Sequence, residues 1–407
     1  MAQIFKGSRE KNNWLGIFMG GYISYRKRMR IIALICTVVA VVLAGILYIL
    51  VGKYNQNELR KKIQLYRLDI QVYEEMKNQN EEKEDLLSDS EKELLEKMKN
   101  YDFYQKIEEK LTTYVAFFGT ETVRKMKNDN MNWVAQFFNT MQKNYTDTHG
   151  INSGLRDSNA YYGYITLNLR ALQSFEYFDL AVVCYGAHDD PETFATYYDG
   201  LLRSLRNQNE KCEIYCMIEA NEEGYNANAE TVKQICALYG GICIDMNEYF
   251  KENGIDYAST LNGIEPNSSG DKVYHDAIMA TIDASLKEGR RVDTDKKVHF
   301  SSTRDFDNFK YLGVAKMNKV SDTVFEFSSS GKMATLIYKV NAKNGGNTRI
   351  YVNGKKVLEV NTKYGDSDEL GFAIISTELG NMNRIRIETG TEDNAMNIYG
   401  VALSGSK

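Results

Sequence analysis

Residues 31–51, IIALICTVVAVVLAGILYILV, run for 21 positions without a charged side chain. About 20 apolar residues are what a helix needs to cross a hydrocarbon core, and this run bounds everything else the chain can be. A secretory leader has a shorter apolar region and a small-residue cleavage site. The Tyr48-Ile49-Leu50-Val51 exit lacks that site, so the run reads as a retained transmembrane helix. Lys6, Arg9, Lys11, Arg26, Lys27, Arg28 and Arg30 precede it against one acid, Glu10, while Lys53, Arg60, Lys61 and Lys62 follow it. The more cationic flank stays in the cytoplasm. These charges predict a basic cytoplasmic tail over 1–30, a single pass over 31–51, and an extracellular bulk anchored to the cell membrane. Trp14–Met19 reads as an apolar stretch at the inner interface or as a contact for a membrane partner.

The rest of the chain is not membrane-like. A mean hydropathy of −0.45 excludes a polytopic protein. With 43% hydrophobic residues and only 2 Pro in 407 residues, the chain can bury real cores and is no low-complexity or collagen-like polymer. The net charge of −5 gives no sign of the basic face that a nucleic-acid binder carries. Of six cysteines, Cys36 lies in the span. The other five are an odd number, so at least one is not paired within the chain. Cys184, Cys216 and Cys243 fall in apolar strand-like runs, where a thiol behaves as a small core residue. Buried free thiols outside the cell suit a bacterial source.

Residues 52–111 are dense in Glu, Lys, Leu, Gln and Tyr and predict a helical stalk, with Leu65, Leu68, Val72 and Met76 on one face. Ser90 with Glu93 makes a capping-box start for a second helix. Over 112–289, short apolar runs (Val115–Phe118, Leu180–Tyr185, Ile214–Ile218, Ile242–Ile244, with a weaker strand near Tyr145–Ile151) alternate with helical patterns around 122–143, 156–173, 191–208, 228–239 and 269–287. Strands separated by helices predict an α/β domain with a parallel sheet covered on both faces. On such a sheet ligands bind at the carboxyl ends of the strands, so the residues after each run matter most. Lys287–Lys297 reads as a charged linker. From 297 to 407 short strands and turns predict a jelly-roll-like β-sandwich, with Asn353-Gly354 as a hairpin turn.

Three strand exits carry a family likeness. Phe117-Phe118-Gly119-Thr120-Glu121-Thr122 closes the first run, Cys184-Tyr185-Gly186-Ala187-His188-Asp189 another, and Leu261-Asn262-Gly263-Ile264-Glu265-Pro266-Asn267 precedes the last helix. In order and spacing residues 112–289 resemble the SGNH/GDSL hydrolases, whose corresponding segments are Gly-Asp-Ser, Gly-x-Asn-Asp and Asp-Gly-x-His-Pro-Asn. The resemblance implies a flavodoxin-type sheet and a site at those three exits. It also implies that the catalytic groups are replaced. Glu121 stands at the nucleophilic serine position, Glu265 and Asn262 at the base histidine and orienting aspartate, and His188 at the oxyanion-hole asparagine. Gly154 is the match for the oxyanion glycine. Serine attack needs a hydroxyl, a base beside it and donors aimed at the oxyanion, so ordinary ester hydrolysis is not expected.

Since these positions meet in the family, Glu121, His188 and Glu265 are expected to meet here, with Asp189 in reach or else Asp189 or Asp190 capping the helix after Pro191. Such a set is a structural cluster with His188 between acids, a carboxylate-lined recognition site for sugar hydroxyls or a cationic group, or a divalent-metal or acid/base site. The Tyr161-Tyr162-Gly163-Tyr164 cluster reads as packing or as a sugar-stacking platform. The resemblance points to surface glycans, on which anchored SGNH-like proteins often act. The expected protein is a pseudoenzyme, an accessory or glycan-binding subunit among other membrane proteins of a polysaccharide synthesis, modification or export complex. The alternatives are an O-acetylesterase or acetyltransferase with a Glu/His/Glu site, and a purely structural stalk protein. No cofactor is called for.

Overall fold

A computed structural model describes residues 97, 100–124, 132–156, 158–171, 178–295, 305–341, 343–363, 369–380 and 382–405. The chain divides into two compact units, Met1–Asp85 and Leu86–Lys407, and all described residues belong to the second. The expected cytoplasmic tail, the span at 31–51 and most of the stalk lie outside them. Among the described residues no helix is long and apolar enough to cross a membrane.

The α/β body holds α1 (Phe103–Glu108), β1 (Thr113–Gly119), α2 (Trp133–Thr140), β2 (Thr148–Gly154), α3 (Ala160–Ala171), β3 (Leu180–Cys184), α4 (Pro191–Gln208), β4 (Glu213–Ile218), α5 (Ala229–Leu238), β5 (Ile242–Asp245), α6 (Met246–Glu252), α7 (Tyr257–Thr260), a short hairpin of β6 (Leu261–Asn262) and β7 (Glu265–Pro266), and α8 (Ser268–Lys287). The main sheet has the order β2-β1-β3-β4-β5 with every pair parallel. This is the flavodoxin-like order. Side chains alternate across it. Ala116, Phe118, Ala181, Val183, Ile214 and Cys216 enter the core beneath α3, α4 and α5. Val115, Phe117, Leu180, Val182, Tyr215 and Met217 enter the one shared with α1, α2, α6 and α8. The five described cysteines are free thiols, four of them buried.

The α/β body begins earlier than the 112 expected from sequence. Residues 101–111 belong to this body and not to the expected stalk: Asp102 caps α1 in a capping box with Gln105, and Phe103, Tyr104 and Ile107 are core residues. Lys106 is wholly buried and ion-pairs with Asp179 at 2.7 Å. The charged linker at 287–297 is in part docked rather than free. Arg290 donates to Glu213 at 2.7 Å and to the Gly240 carbonyl at 2.8 Å, and the Val292 amide donates to Asp102 at 3.0 Å. The second strand lies at 148–154, three residues later than expected.

The C-terminal part is a sandwich of two antiparallel sheets. One has the order β13 (Lys355–Asn361), β12 (Asn347–Val352), β15 (Asn383–Thr389), β10 (Val324–Ser329), β9 (Asn318–Ser321). The other is β14 (Glu369–Ser376), β11 (Met333–Val340), β16 (Ile398–Ser404), β8 (Lys310–Gly313). Between β10 and β16 the chain changes sheet at every connection except the β12–β13 hairpin, in keeping with the jelly-roll-like arrangement expected. That hairpin turns at Asn353 (φ 51°) and Gly354 (φ 82°), the positive angles a tight hairpin demands.

Strand β11, MATLIYKV, is buried along almost its whole length because it is covered on both faces. Ala334, Leu336, Tyr338 and Val340 fill the sandwich interior. Met333 and Ile337 join the core under α3 and α4, with Phe372 and Ala402 from its neighbours. The tyrosine cluster of α3 is the other half of this contact. Tyr161 hydroxyl bonds Thr335 at 2.6 Å, and Tyr162 and Tyr164 donate to the Phe372 and Phe306 carbonyls at 3.1 and 2.8 Å. Phe306 sits edge-on to Tyr164 with ring centroids 4.7 Å apart. The tyrosines thus pack the sandwich onto the α/β body. A Thr335→Val chain, which strands the buried Tyr161 hydroxyl, is expected to lose about 1–2 kcal/mol of stability in urea titration.

Candidate functional site

Register sets the floor of the site. Gly119 pairs with both Gly154 and Cys184, so the exits of β1, β2 and β3 leave the sheet at one level. A Cβ on Gly119 would stand 2.4 Å from Val123 Cγ2 and 2.8 Å from the Cys184 carbonyl oxygen, so no larger residue fits that exit. Thr120, Glu121 and Thr122 form the turn that follows. Thr120 is fully buried and donates to Glu219. Thr122, 2% exposed, donates to the Ile264 carbonyl at 3.1 Å. The Trp133 indole N–H fixes the Thr122 carbonyl from below at 2.6 Å.

Glu121 sits between these threonines and faces His188, with Oε2 3.7 Å from Nε2. The carboxylate is largely covered, whereas the imidazole is 44% exposed. Asn262 and Glu265 are register partners across the β6–β7 hairpin. The hairpin is tied to the β1 turn through Thr122, and to the β4 exit by the Gly263 amide, which donates to Glu222 at 3.1 Å. Among the described residues the Asn262 and Glu265 side chains make no hydrogen bond to each other, unlike an orienting acid and its base. No set of three His, Cys, Asp or Glu side chains among the described residues is placed to hold a metal ion.

Two of the expected site residues serve other purposes. Asp189 accepts from the Ala160 amide at 2.9 Å and the Gly186 amide at 3.0 Å, joining the β3 exit to the start of α3. Burial lifts its carboxyl to about 6 against those two donors and the nearby His188. Asp190, not Asp189, caps α4 through the Glu192 amide. Gly154 packs beneath the β1 turn, its Cβ position 2.5 Å from the Arg124 nitrogen. Its amide already donates to the Asn152 side chain at 2.9 Å, so it is not free for an oxyanion.

The residue that sequence reading missed is Glu219, the first position after β4. It is fully buried. One carboxylate oxygen accepts from Thr120 and the other from the Ala187 amide at 3.0 Å, so it holds the β1 and β3 exits together. Burial raises its carboxyl to about 7, with Asp189 adding to the effect and the Thr120 and Ala187 donors opposing it. The rest of the β4–α5 loop continues the same work. Asn228 donates to the Gly186 and Asp189 carbonyls at 2.8 and 3.0 Å.

The sign of the Glu219 shift gives a pH prediction. Between about 4.5, its ordinary value, and about 7 the folded chain keeps a proton that the unfolded chain has lost. Stability therefore falls as pH rises through that window and levels off above it. The contribution is on the order of 3 kcal/mol. Glu219→Gln is expected to flatten this part of the profile, read as the difference between the two chains' urea midpoints at pH 5 and pH 7.5. Equal pH slopes in the two chains would refute the assignment.

No family model matches the chain, and no curated protein matches it. Solved structures do. A two-domain esterase active on acetylated mannans, crystallised with mannopentaose, superposes with a TM-score of 0.55 and 14% identity, over 74% of this chain and 94% of that chain. A second structure of a two-domain esterase active on acetylated mannans gives a TM-score of 0.55 and 15% identity, over 78% of this chain and 95% of that one. An acetylxylan esterase from Geobacillus stearothermophilus aligns with 42% of this chain and 94% of its own at a TM-score of 0.34 and 16% identity. At 14–15% identity the likeness to the two-domain esterases is one of fold. That fold is an SGNH hydrolase-like α/β domain followed by a β-sandwich.

Proposed function

We propose that this SGNH hydrolase-like chain is a single-pass, membrane-anchored bacterial protein whose extracytoplasmic body recognises glycan without cleaving its esters. It works as an accessory or scaffold subunit of a cell-surface polysaccharide synthesis, modification or export complex. The observation that carries this reading is the β1 turn. Ester attack needs an accessible hydroxyl beside a base. At this turn a carboxylate, Glu121, faces the site, and the two hydroxyls flanking it are buried and donate to Glu219 and to Ile264. Hydroxyls so buried and committed to partners inside the protein are withheld from a substrate. The uncharged run at 31–51 and its basic flank support the anchor. The two-domain esterase of like fold acts on acetylated mannans, which makes acetylated mannan the first glycan to try.

A second reading rests on the Glu121–His188 contact. A carboxylate 3.7 Å from an imidazole is the makings of an acid/base pair, and with Glu265 it would serve an O-acetylesterase or acetyltransferase of unusual design. Acetate release from acetylated mannan decides between the two. The purified full chain is expected to give the rate of the buffer blank while binding the polymer. Release that vanishes in Glu121→Ala would establish the second reading instead.

A further inference from the structure

Burying an aromatic ring stabilises a fold by kilocalories, a gain forgone by a ring left in water on a hydrogen-bonded loop. Of the Phe, Trp and Tyr side chains among the described residues, only Tyr225 and Tyr399 are exposed, at 65% and 43%. Tyr225 stands on the β4–α5 loop, residues 219–228. That loop is held at both ends by the turns of the candidate site, through Glu219 and Asn228. It also reaches the β6–β7 hairpin through Glu222. The loop that carries Tyr225 therefore borders the edge that holds Glu121, His188 and Glu265.

The loop is also bonded to itself. The Asn221 side chain clasps Tyr225 from both directions, accepting from its amide at 3.1 Å and donating to its carbonyl. Gly224 makes the bend at φ +66°. Asn226, the next residue, is only 5% exposed, and among the described residues its amide nitrogen has no hydrogen-bond partner. It lies under the bare Gly186, 3.3 Å from the place a Cβ would take there. One ring displayed on a loop anchored by its own buried neighbours is the format of a preformed binding surface. Glu222 and Glu223, both exposed, precede Tyr225 on the same loop. Carboxylates accept from sugar hydroxyls and repel anions.

We infer that the β4–α5 loop is a carbohydrate subsite in which Tyr225 stacks against the face of an uncharged pyranose, Glu222 and Glu223 accept its hydroxyls, and uronic acids are turned away. This rests on the glycan-recognition reading above and names the sugar chemistry it selects. The test uses the full chain in detergent micelles, titrated by ligand-observed NMR with cellohexaose, mannohexaose and chitohexaose as neutral probes and hexagalacturonate as the anionic one. At least one neutral probe is expected to bind and hexagalacturonate to bind at least tenfold more weakly. Tyr225→Ala is expected to weaken the neutral probe about tenfold, whereas Tyr225→Phe, which keeps the ring, holds within twofold. Unchanged melting temperatures confirm that both variants fold. Binding that survives Tyr225→Ala, or equal binding of hexagalacturonate, would overturn the subsite and leave the glycan reading standing. No binding of any probe by the parent chain would bring down both.

Discussion

A chain carrying Glu121→Ser, Asn262→Asp and Glu265→His together is expected to release acetate from ester substrates at least about 100-fold faster than its parent. The reason lies in the geometry that remains. The β1 turn and the β6–β7 hairpin are already fastened to one another through Thr122 and Ile264, and Asn262 faces Glu265 across the hairpin. What is missing is a hydroxyl, a base and a group to orient that base. Each single change is expected to give nothing measurable, since residues that act as a unit contribute together or not at all. Adding His188→Asn, which restores an amide donor at the oxyanion position implied by the family resemblance, is expected to raise the rate about another 100-fold. Acetate release by the triple variant at the parent's rate would show that the hairpin does not present position 265 to position 121.

Lys106→Met is expected to destabilise the α/β body by about 3–5 kcal/mol. The ion pair with Asp179 is sealed, with side chains 0% and 1% exposed. Removing the cation leaves a carboxylate with the Tyr114 amide as a donor but no counter-charge. Burial already holds the Asp179 carboxyl above its usual range against the pull of Lys106. Without Lys106 it takes a proton more readily still, so the loss is expected to be smaller at pH 4 than at pH 7. Lys106→Met with Asp179→Leu is expected to regain much of the stability, because two apolar groups leave no buried charge. Thermal melts of the single and double variants at both pH values measure this. A single variant within 1 kcal/mol of the parent would mean that the pair is not sealed in solution.

Much of the fold was legible because the main sheet obeys period rules. Strands β1, β3 and β4 are largely apolar runs, whereas the edge strand β2, THGINSG, is not and is the one displaced from its expected place. The neighbouring helices are capped by Asn132, Asp190, Asp245 and Asn267, and in the sandwich Asn353-Gly354 announces the β12–β13 hairpin. The site was legible in part, since residues after strand ends are where an α/β sheet binds ligands. That same rule points to Glu219, directly after Ile218, but no motif singles it out, and a lone glutamate in sequence looks like a surface residue. Helix α1 reads as stalk in sequence because Lys106 and Gln105 break its apolar face. A lysine reads as exposed until its partner is known, and Asp179 lies 73 positions away. In β11 the apolar side chains Met333, Ala334, Leu336 and Ile337 fall on both faces of the strand, a signal of double burial that a two-layer sandwich does not require. Only the third layer, supplied by α3 and α4, accounts for it.

The doubly covered sheet bears on inheritance. Accessory β-modules are commonly traded between genes as independent cassettes, and such trade requires that each piece survive alone. Here a donor gene ending before the sandwich would leave Tyr161, Tyr164 and Tyr197 without the cover of Phe306, and a recipient of the sandwich alone would expose Met333, Ile337 and Phe372. Either product carries a sticky face and faces removal by proteolysis or aggregation. The two pieces are therefore expected to descend as one cassette, substitutions on the helix side being matched by substitutions on the strand side. Relatives of this chain should accordingly vary more at the rim of the β4–α5 loop than at the seam where Phe306 meets Tyr164.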